Sequence, residues 1–314
     1  MATRIPQVAI VIPAYNAEST LDRAIESALI QTASNIELFI VDDGSTDRTL
    51  NVAAKWKSQD SRITVVGCKR HHGMAYAFNK GVRKSTAPLI AKFDADDYSD
   101  PNRIRSQLKK LSRDDNLAAI GLGTITVVGD RYTPYVLELA TVSAEIAIGL
   151  LFRPELLCGT TLYRRSVLKQ HPFPEHIPVG AGRLHAHHLV KAGFKIENLK
   201  TENPLFEYHR GDLNNLPRAE GHESDLMLRA ILADLDIDPT VANLQTHRAA
   251  SRALFHGIGQ HPLFQAHLSQ NSTLAKKWFS RLERANFERN PHFYDTQLFS
   301  RIIAEQIREL EELN

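Results

Sequence analysis

The chain has 314 residues, a hydrophobic share of 43% and a formal net charge of +2, a balance that fits one large α/β domain plus a smaller appendage. So small a basic excess argues against a dedicated nucleic-acid binder, which needs clustered positive charge to neutralise phosphates. The two cysteines, Cys68 and Cys158, support neither a disulfide framework nor a CxxC zinc site, and the start Met1-Ala-Thr-Arg-Ile-Pro6 shows no signal peptide. No apolar run reaches the length of a membrane span, so the expectation is a cytoplasmic protein, with peripheral contact at the cytoplasmic membrane face left open.

Val8-Ala-Ile-Val-Ile12 is a continuous apolar run closed by Pro13 and predicts a strand buried on both faces. Leu21, Ala24, Ile25, Ala28 and Leu29 recur at helical spacing, with Ser19 and Asp22 as a capping pair. Ile36 to Val41 predicts a second strand closed by Asp42-Asp43-Gly44, after which Ser45, Thr46 and Asp47 supply helix-start chemistry. Strand Ile63 to Val66, helix Met74 to Lys84, strand Leu89 to Phe93 and a helix opened by Pro101 and reaching Leu111 continue the alternation. Such a pattern implies a parallel sheet with helices on both faces.

After Leu117 the alternation weakens. Leu117 to Val128 predicts one or two strands, Ala144 to Phe152 is apolar without a decisive period, and Thr160 to Leu168 runs from strand into helix. Ala186 to Ala192, stopped by Gly193, predicts a helix, and Phe194 to Leu199 a strand. From about Arg218 the pattern is helical, in segments Asp225 to Leu235, Val241 to Phe255, Leu274 to Phe287 and Thr296 to Leu313.

Asp94-Ala95-Asp96-Asp97 sets three carboxylates at the end of the fourth strand. One reading is a metal–diphosphate site, because Mg²⁺ is held by one or two protein carboxylates plus a substrate's phosphates. The other is a solvated Asp-rich turn, which Tyr98, Ser99 and Asp100-Pro101 would also build. Ligands of parallel sheets bind beyond the carboxyl ends of the strands. Tyr15-Asn16, Asp42-Asp43-Gly44 and Asp94 to Asp97 all fall at such ends, which favours the metal site. His71-His72 lie near the same rim and could touch phosphate, although no spacing rule demands it.

The ordered set Pro13-Ala-Tyr-Asn16, Gln31-Thr32, Val41-Asp-Asp-Gly-Ser-Thr-Asp47, Gly73 with Ala77-Phe-Asn-Lys-Gly81, and Phe93-Asp-Ala-Asp-Asp97 resembles the family 2 glycosyltransferases of the GT-A fold. The resemblance runs from about Val8 to Leu111, and more faintly through Arg164 to Leu168 and Lys191 to Lys195 to about Asp212. It implies an α/β, Rossmann-like GT-A domain over residues 1–217, its mainly parallel sheet flanked by helices; residues 218–314 form a helical C-terminal region. It also implies metal-dependent, inverting transfer from a nucleotide-diphosphate sugar to a glycan, lipid-linked or protein-linked acceptor in polysaccharide or glycoconjugate synthesis. On the matched positions Pro13 and Tyr15 contact the nucleotide, Tyr15 stacking on its base, and Asp43 accepts the N3–H of a uracil-type ring, which favours a UDP-sugar. Asp96 binds Mn²⁺ or Mg²⁺, and Asp94 faces the ribose, or the metal through water. Arg70 is a further nucleotide candidate, with a solvated loop residue as its plain alternative. The oligomeric state stays open and includes a homo-oligomer.

The family's catalytic base belongs to an acidic pair just ahead of a helix. Counting back from Lys191-Ala-Gly-Phe194 puts that pair on Ala181-Gly182, neither of which takes a proton, and the family's Arg on His188. Three explanations compete. Slippage brings Glu175 into place; a histidine, best His185, serves as base because imidazole titrates near neutrality; or the chain binds a nucleotide sugar as a catalytically impaired subunit or regulator. His185 and His188, at i and i+3, are also what a packed or solvated helix face carries. A nucleotidyltransferase would need a glycine-rich, basic loop after the first strand, and Pro13-Ala-Tyr-Asn16 is not one.

Overall fold

The first apolar run forms strand β1, Val8–Ala14, inside a seven-stranded sheet. The computed structural model describes residues 6–33, 35–128, 131–137, 139–201, 205–210, 223–255, 277–282, 284–285 and 296–312. β1 pairs in parallel with β2 (Ile36–Asp42) on one side and β4 (Leu89–Lys92) on the other, and β3 (Ile63–Gly67) extends the β2 edge. Val8, Ile10 and Ile12 pack with Leu21, Ala24 and Ile25 of α1 (Leu21–Leu29). Ala9 and Val11 pack instead with Ala77, Phe78 and Val82 of α3 (Met74–Lys84). Successive strand residues point to opposite faces, so two helical layers explain why β1 is apolar throughout rather than alternating.

The expected, mainly parallel sheet forms, with one antiparallel strand in it. Its order is β10-β6-β9-β4-β1-β2-β3, where β6 is Leu117–Leu122, β9 is Leu162–Arg164 and β10 is Lys195–Leu199. β9 runs antiparallel to both β4 and β6. A second sheet, missed in the sequence, joins β5 (Tyr98–Ser99), β11 (Phe206–Arg210), β7 (Thr124–Val128) and β8 (Arg131–Leu137) in that order. β5 has only two residues, too few for any periodicity to show.

Two helix starts differ from expectation. Helix α1 has Thr20 at its N-cap with no side-chain cap, and Asp22 instead accepts a hydrogen bond from Trp56 Nε1 at 2.6 Å, tying α1 to α2 (Thr49–Gln59). Helix α7 spans Ala181–Lys191, beginning five residues before the expected Ala186, behind Gly180 at φ +83°. Glycine is a poor helix former, and Gly182 concealed the true start. Its small size is needed there, because a Cβ would stand 2.8 Å from Cys158 Sγ. The undecided stretch after residue 143 resolves as α5, Ser143–Gly149.

Helices α8 (Glu223–Asp234) and α9 (Val241–Phe255) and the C-terminal helix Thr296–Glu312 follow. Met227, Ile231, Leu232, Phe279 and Phe299 share one apolar cluster with Ile146 and Ile148 of α5 and Leu184 and Leu189 of α7. The expected boundary at residue 217 lies outside the described residues. No helix among them is long and apolar enough to cross a membrane.

Candidate active site

Four strand ends meet on one rim. Pro13 N faces the β4 side of β1 past the last pair, Val11↔Lys92, so its missing N–H removes no ladder bond. Tyr15 follows, with 43% of its surface exposed. At the end of β2, Gly44 adopts φ +76°, and a Cβ there would lie 2.5 Å from the Arg70 carbonyl carbon. Glycine therefore lets the loop after β3 cross directly over the end of β2. Arg70 itself is exposed.

That crossing delivers three donors to Asp43, whose exposure is 2%. Its Oδ2 accepts from the backbone N–H of His72 at 3.0 Å and of Gly73 at 2.7 Å, and lies 2.9 Å from His71 Nδ1. Oδ1 is buried with no hydrogen-bond partner. A buried acceptor left unpaired carries a desolvation cost of about 1–3 kcal/mol, so this oxygen is suited to an incoming N–H. The His71 ring also stacks on Tyr15 at a centroid distance of 3.9 Å, placing Tyr15 and Asp43 around one imidazole-sized space. His72 stacks on Tyr76 at 4.1 Å instead.

At the end of β4, Lys92 is only 1% exposed and forms an ion pair with Asp94 Oδ1. Burial opposes its charge, but Asp94 and its neighbours outweigh burial and hold the ammonium above its ordinary range. Asp96 is exposed yet closely surrounded by protein, and that desolvation, followed by the Asp94 charge, raises its carboxyl. Asp97 is 3% exposed, and burial first, then Asp94 and Asp96, pushes it well above the usual carboxylate range. Its Oδ1 accepts from His209 N of β11 at 3.0 Å, and its Oδ2 is buried without a partner.

Among the described residues no three His, Cys, Asp or Glu side chains converge into a complete metal site. A divalent ion at Asp96 would instead complete its oxygen shell with phosphates. Raised, mutually repelling carboxyls and the unpartnered Asp97 oxygen fit that arrangement, since a cation relieves both.

The two base candidates lie elsewhere. His185 is 1% exposed, stacked on Phe173 at 4.0 Å, with Nε2 2.9 Å from the His171 carbonyl. Burial lowers its pKa to about 3, so it is a neutral core residue rather than a rim base. Glu175 accepts from Asn79 Nδ2 at 2.9 Å and pairs with Arg83 at 3.4 Å. Arg83 lies in the last turn of α3, and Ser85 just beyond it bonds Glu37 near the start of β2 at 2.7 Å. Glu175 therefore faces the amino ends of the strands, opposite the rim.

Sequence reasoning missed Lys92 and the turn Cys158–Thr160. A lysine inside the run Leu89-Ile-Ala-Lys-Phe93 was the available signal, because a fully buried ammonium needs a counter-ion. Nothing comparable marked the turn, where Gly159 permits the approach of Asp94: a Cβ would stand 2.2 Å from Asp94 Oδ2.

The fold has a solved counterpart. TarS of S. aureus, residues 1–349 in complex with UDP-GlcNAc, superposes with a TM-score of 0.61 at 17% identity, covering 98% of this chain and 90% of that one. The fold is GT-A. Residues 9–171 match the model for "Glycosyl transferase family 2", and the chain belongs to that family. A Haemophilus influenzae uncharacterized glycosyltransferase is 29% identical over 174 residues, 53% of this chain and 54% of that protein. Chondroitin synthase of Pasteurella multocida is 38% identical over 117 residues, 37% of this chain but 12% of the synthase. The chain thus spans about half the length of the first of these relatives and far less of the second.

Proposed function

We propose that the chain transfers a sugar from a UDP-sugar to a glycan or glycoconjugate acceptor, with inversion at the anomeric carbon and with a divalent ion. The observation carrying this reading is the buried, unpartnered Oδ1 of Asp43, whose other oxygen meets the His71 ring that stacks on Tyr15. A uracil N3–H offers one donor to that oxygen, and the Tyr15 ring offers a stacking face. The likeness to TarS supports a UDP-linked donor, and that to chondroitin synthase supports a polysaccharide acceptor.

Pro13 fixes the strand end below Tyr15, Asp94 accepts from the ribose, and Asp96 holds Mn²⁺ or Mg²⁺. Arg70, carried over Gly44, is a further nucleotide contact. When bound, the ion supplies charge stabilisation to the departing diphosphate. Residues 1–217 act as the transfer domain, with 218–314 as its helical region. Two free cysteines support a reducing, cytoplasmic setting.

A second reading has its own observation. The start of α7, where the family carries its acidic pair, holds Ala181 and Gly182, and Gly182 is packed against Cys158. With His185 and Glu175 both away from the rim, a nucleotide-sugar-binding subunit or regulator is the alternative.

Calorimetric titration with UDP tests the site: binding should strengthen with Mn²⁺ and weaken strongly in Asp96→Ala. Absence of binding with and without Mn²⁺ overturns the donor reading. Mass spectrometry of UDP-sugar consumption across donor and acceptor panels then separates the two functions. Turnover supports transfer, and tight UDP binding without turnover supports the binding subunit.

A further inference from the structure

Lys92 is the one fully buried ammonium at the rim among the described residues, and it lies two residues before Asp94 on the same side of the chain. Its Nζ engages Asp94 Oδ1. On the other side of that carboxylate, Gly159 comes so close that a Cβ would stand 2.2 Å from Oδ2. Asp94 is therefore held by a cation at one oxygen and closely flanked by the Cys158–Thr160 turn at the other. A carboxylate already neutralised by an ammonium is a weaker ligand for a second cation, whereas among the described residues the Asp96 carboxylate forms no ion pair, Arg23 reaching only its backbone carbonyl. An apolar residue would fill a buried strand position more cheaply than lysine, so packing alone gives no reason for the ammonium.

We propose that Lys92 is a positioning residue of the donor site: it withdraws Asp94 from metal ligation and adds a permanent positive charge to the carboxylate cluster, beside that of the buried Arg103, which donates to the Lys92 carbonyl. This rests on the UDP-sugar reading above and deepens it. Of Asp94 and Asp96, only Asp96 is then left to bind the divalent ion. The diphosphate then approaches a cluster whose repulsion is partly cancelled before any metal arrives, so nucleotide binding depends only in part on the metal. Lys92 acts through Asp94 and touches neither substrate nor metal.

The test compares UDP affinity in EDTA and in saturating Mn²⁺ for the wild type, Lys92→Met and Lys92→Arg. A fixed charge within a few ångströms is worth about tenfold or more in affinity. Lys92→Met should therefore lose at least about tenfold in EDTA and much less in Mn²⁺, with Lys92→Arg restoring the wild-type ratio. An unchanged EDTA-to-Mn²⁺ ratio in Lys92→Met overturns the proposal while leaving the donor site standing. A wild type that binds no UDP in either buffer removes the donor reading and this proposal together. Should Lys92→Met fail to fold, Mn²⁺ titration by electron paramagnetic resonance at saturating UDP decides. Asp94→Asn, which removes a nearby charge but no metal ligand, should weaken Mn²⁺ by about tenfold, and Asp96→Asn should abolish its binding; equal losses in both overturn the proposal.

Discussion

The imidazole of His71 lies against the ring of Tyr15, with centroids 3.9 Å apart and planes inclined by 30°. Its Nδ1 meanwhile lies 2.9 Å from Asp43. The imidazole thus covers the Tyr15 ring and holds Oδ2 of the carboxylate whose Oδ1 awaits the uracil N3–H, so imidazole and nucleobase crowd one another at Tyr15. Tyr15→Ala should weaken UDP by about 1–3 kcal/mol, the ordinary value of a base–aromatic stack. His71→Ala should act in the opposite direction and tighten UDP. Calorimetry on both variants checks the pair of signs, and weakening by His71→Ala would show instead that the imidazole supports the bound base.

Asp43 sets which base is read. In Asp43→Asn the amide oxygen can keep the donors from His71, His72 and Gly73, and its NH₂ then takes the place of the unpartnered oxygen. A donor would face the uracil N3–H, whereas the cytosine N3 is an acceptor. The variant should lose UDP affinity by about 100-fold or more, as sites built to bond a polar group reject the mismatched one. CDP should gain relative to UDP, and fluorescence competition between the two nucleotides measures the switch.

His185 supplies a control for the base. Its ring is packed between Phe173 and Tyr163, so His185→Phe should leave any donor turnover within about threefold, against a loss of roughly 10²- to 10⁴-fold expected for a general base. Steady-state kinetics at saturating donor distinguishes the two outcomes, and a loss of the larger size would return His185 to the mechanism.

Acid should destabilise the fold through its buried imidazoles. His247 Nε2 lies 2.8 Å from the Leu151 carbonyl, and its Nδ1 accepts from Trp278 Nε1 at 3.1 Å, an arrangement that only the neutral ring satisfies. Burial lowers both His185 and His247 to about 3 from an ordinary 6.5. The unfolded chain then binds more protons than the native one between those values, so the stabilisation is complete above pH 6.5 and is lost as pH falls toward 3. Each histidine should cost roughly 2 kcal/mol by pH 5. Urea unfolding at pH 7.5 and at pH 5 checks the sign, and equal midpoints would contradict it.

The first half of the sheet was legible because its strands are buried on both faces and its turns carry charged or glycine signals. That the segments holding Tyr15, Asp43, Asp94 and Asp96 share one rim followed from their position at strand ends, a rule of topology, whereas the role of each residue came from the family resemblance alone. What stayed hidden depends on contacts between distant segments. The short β5 exists only through pairing with β11, Phe206↔Ser99 and Glu207↔Tyr98. The start of α7 at Ala181 stayed hidden because the close neighbour that Gly182 makes room for, Cys158, comes from another turn. Lys92 was visible but was absorbed into an apolar run, although its burial called for a counter-ion.

The antiparallel placement of β9 has a consequence for synthesis of the chain. Strands β1 to β4 are laid down in one continuous stretch and can pair among themselves, but the outer edge of β4 is completed only by Leu162–Arg164, about 70 residues further on. Until that segment leaves the ribosome, Ile90 and its neighbours present an open, apolar strand edge. Such an edge invites pairing with other chains. The interval between translation of β4 and of β9 is therefore a period in which this edge of a nascent copy is open to pairing with other copies.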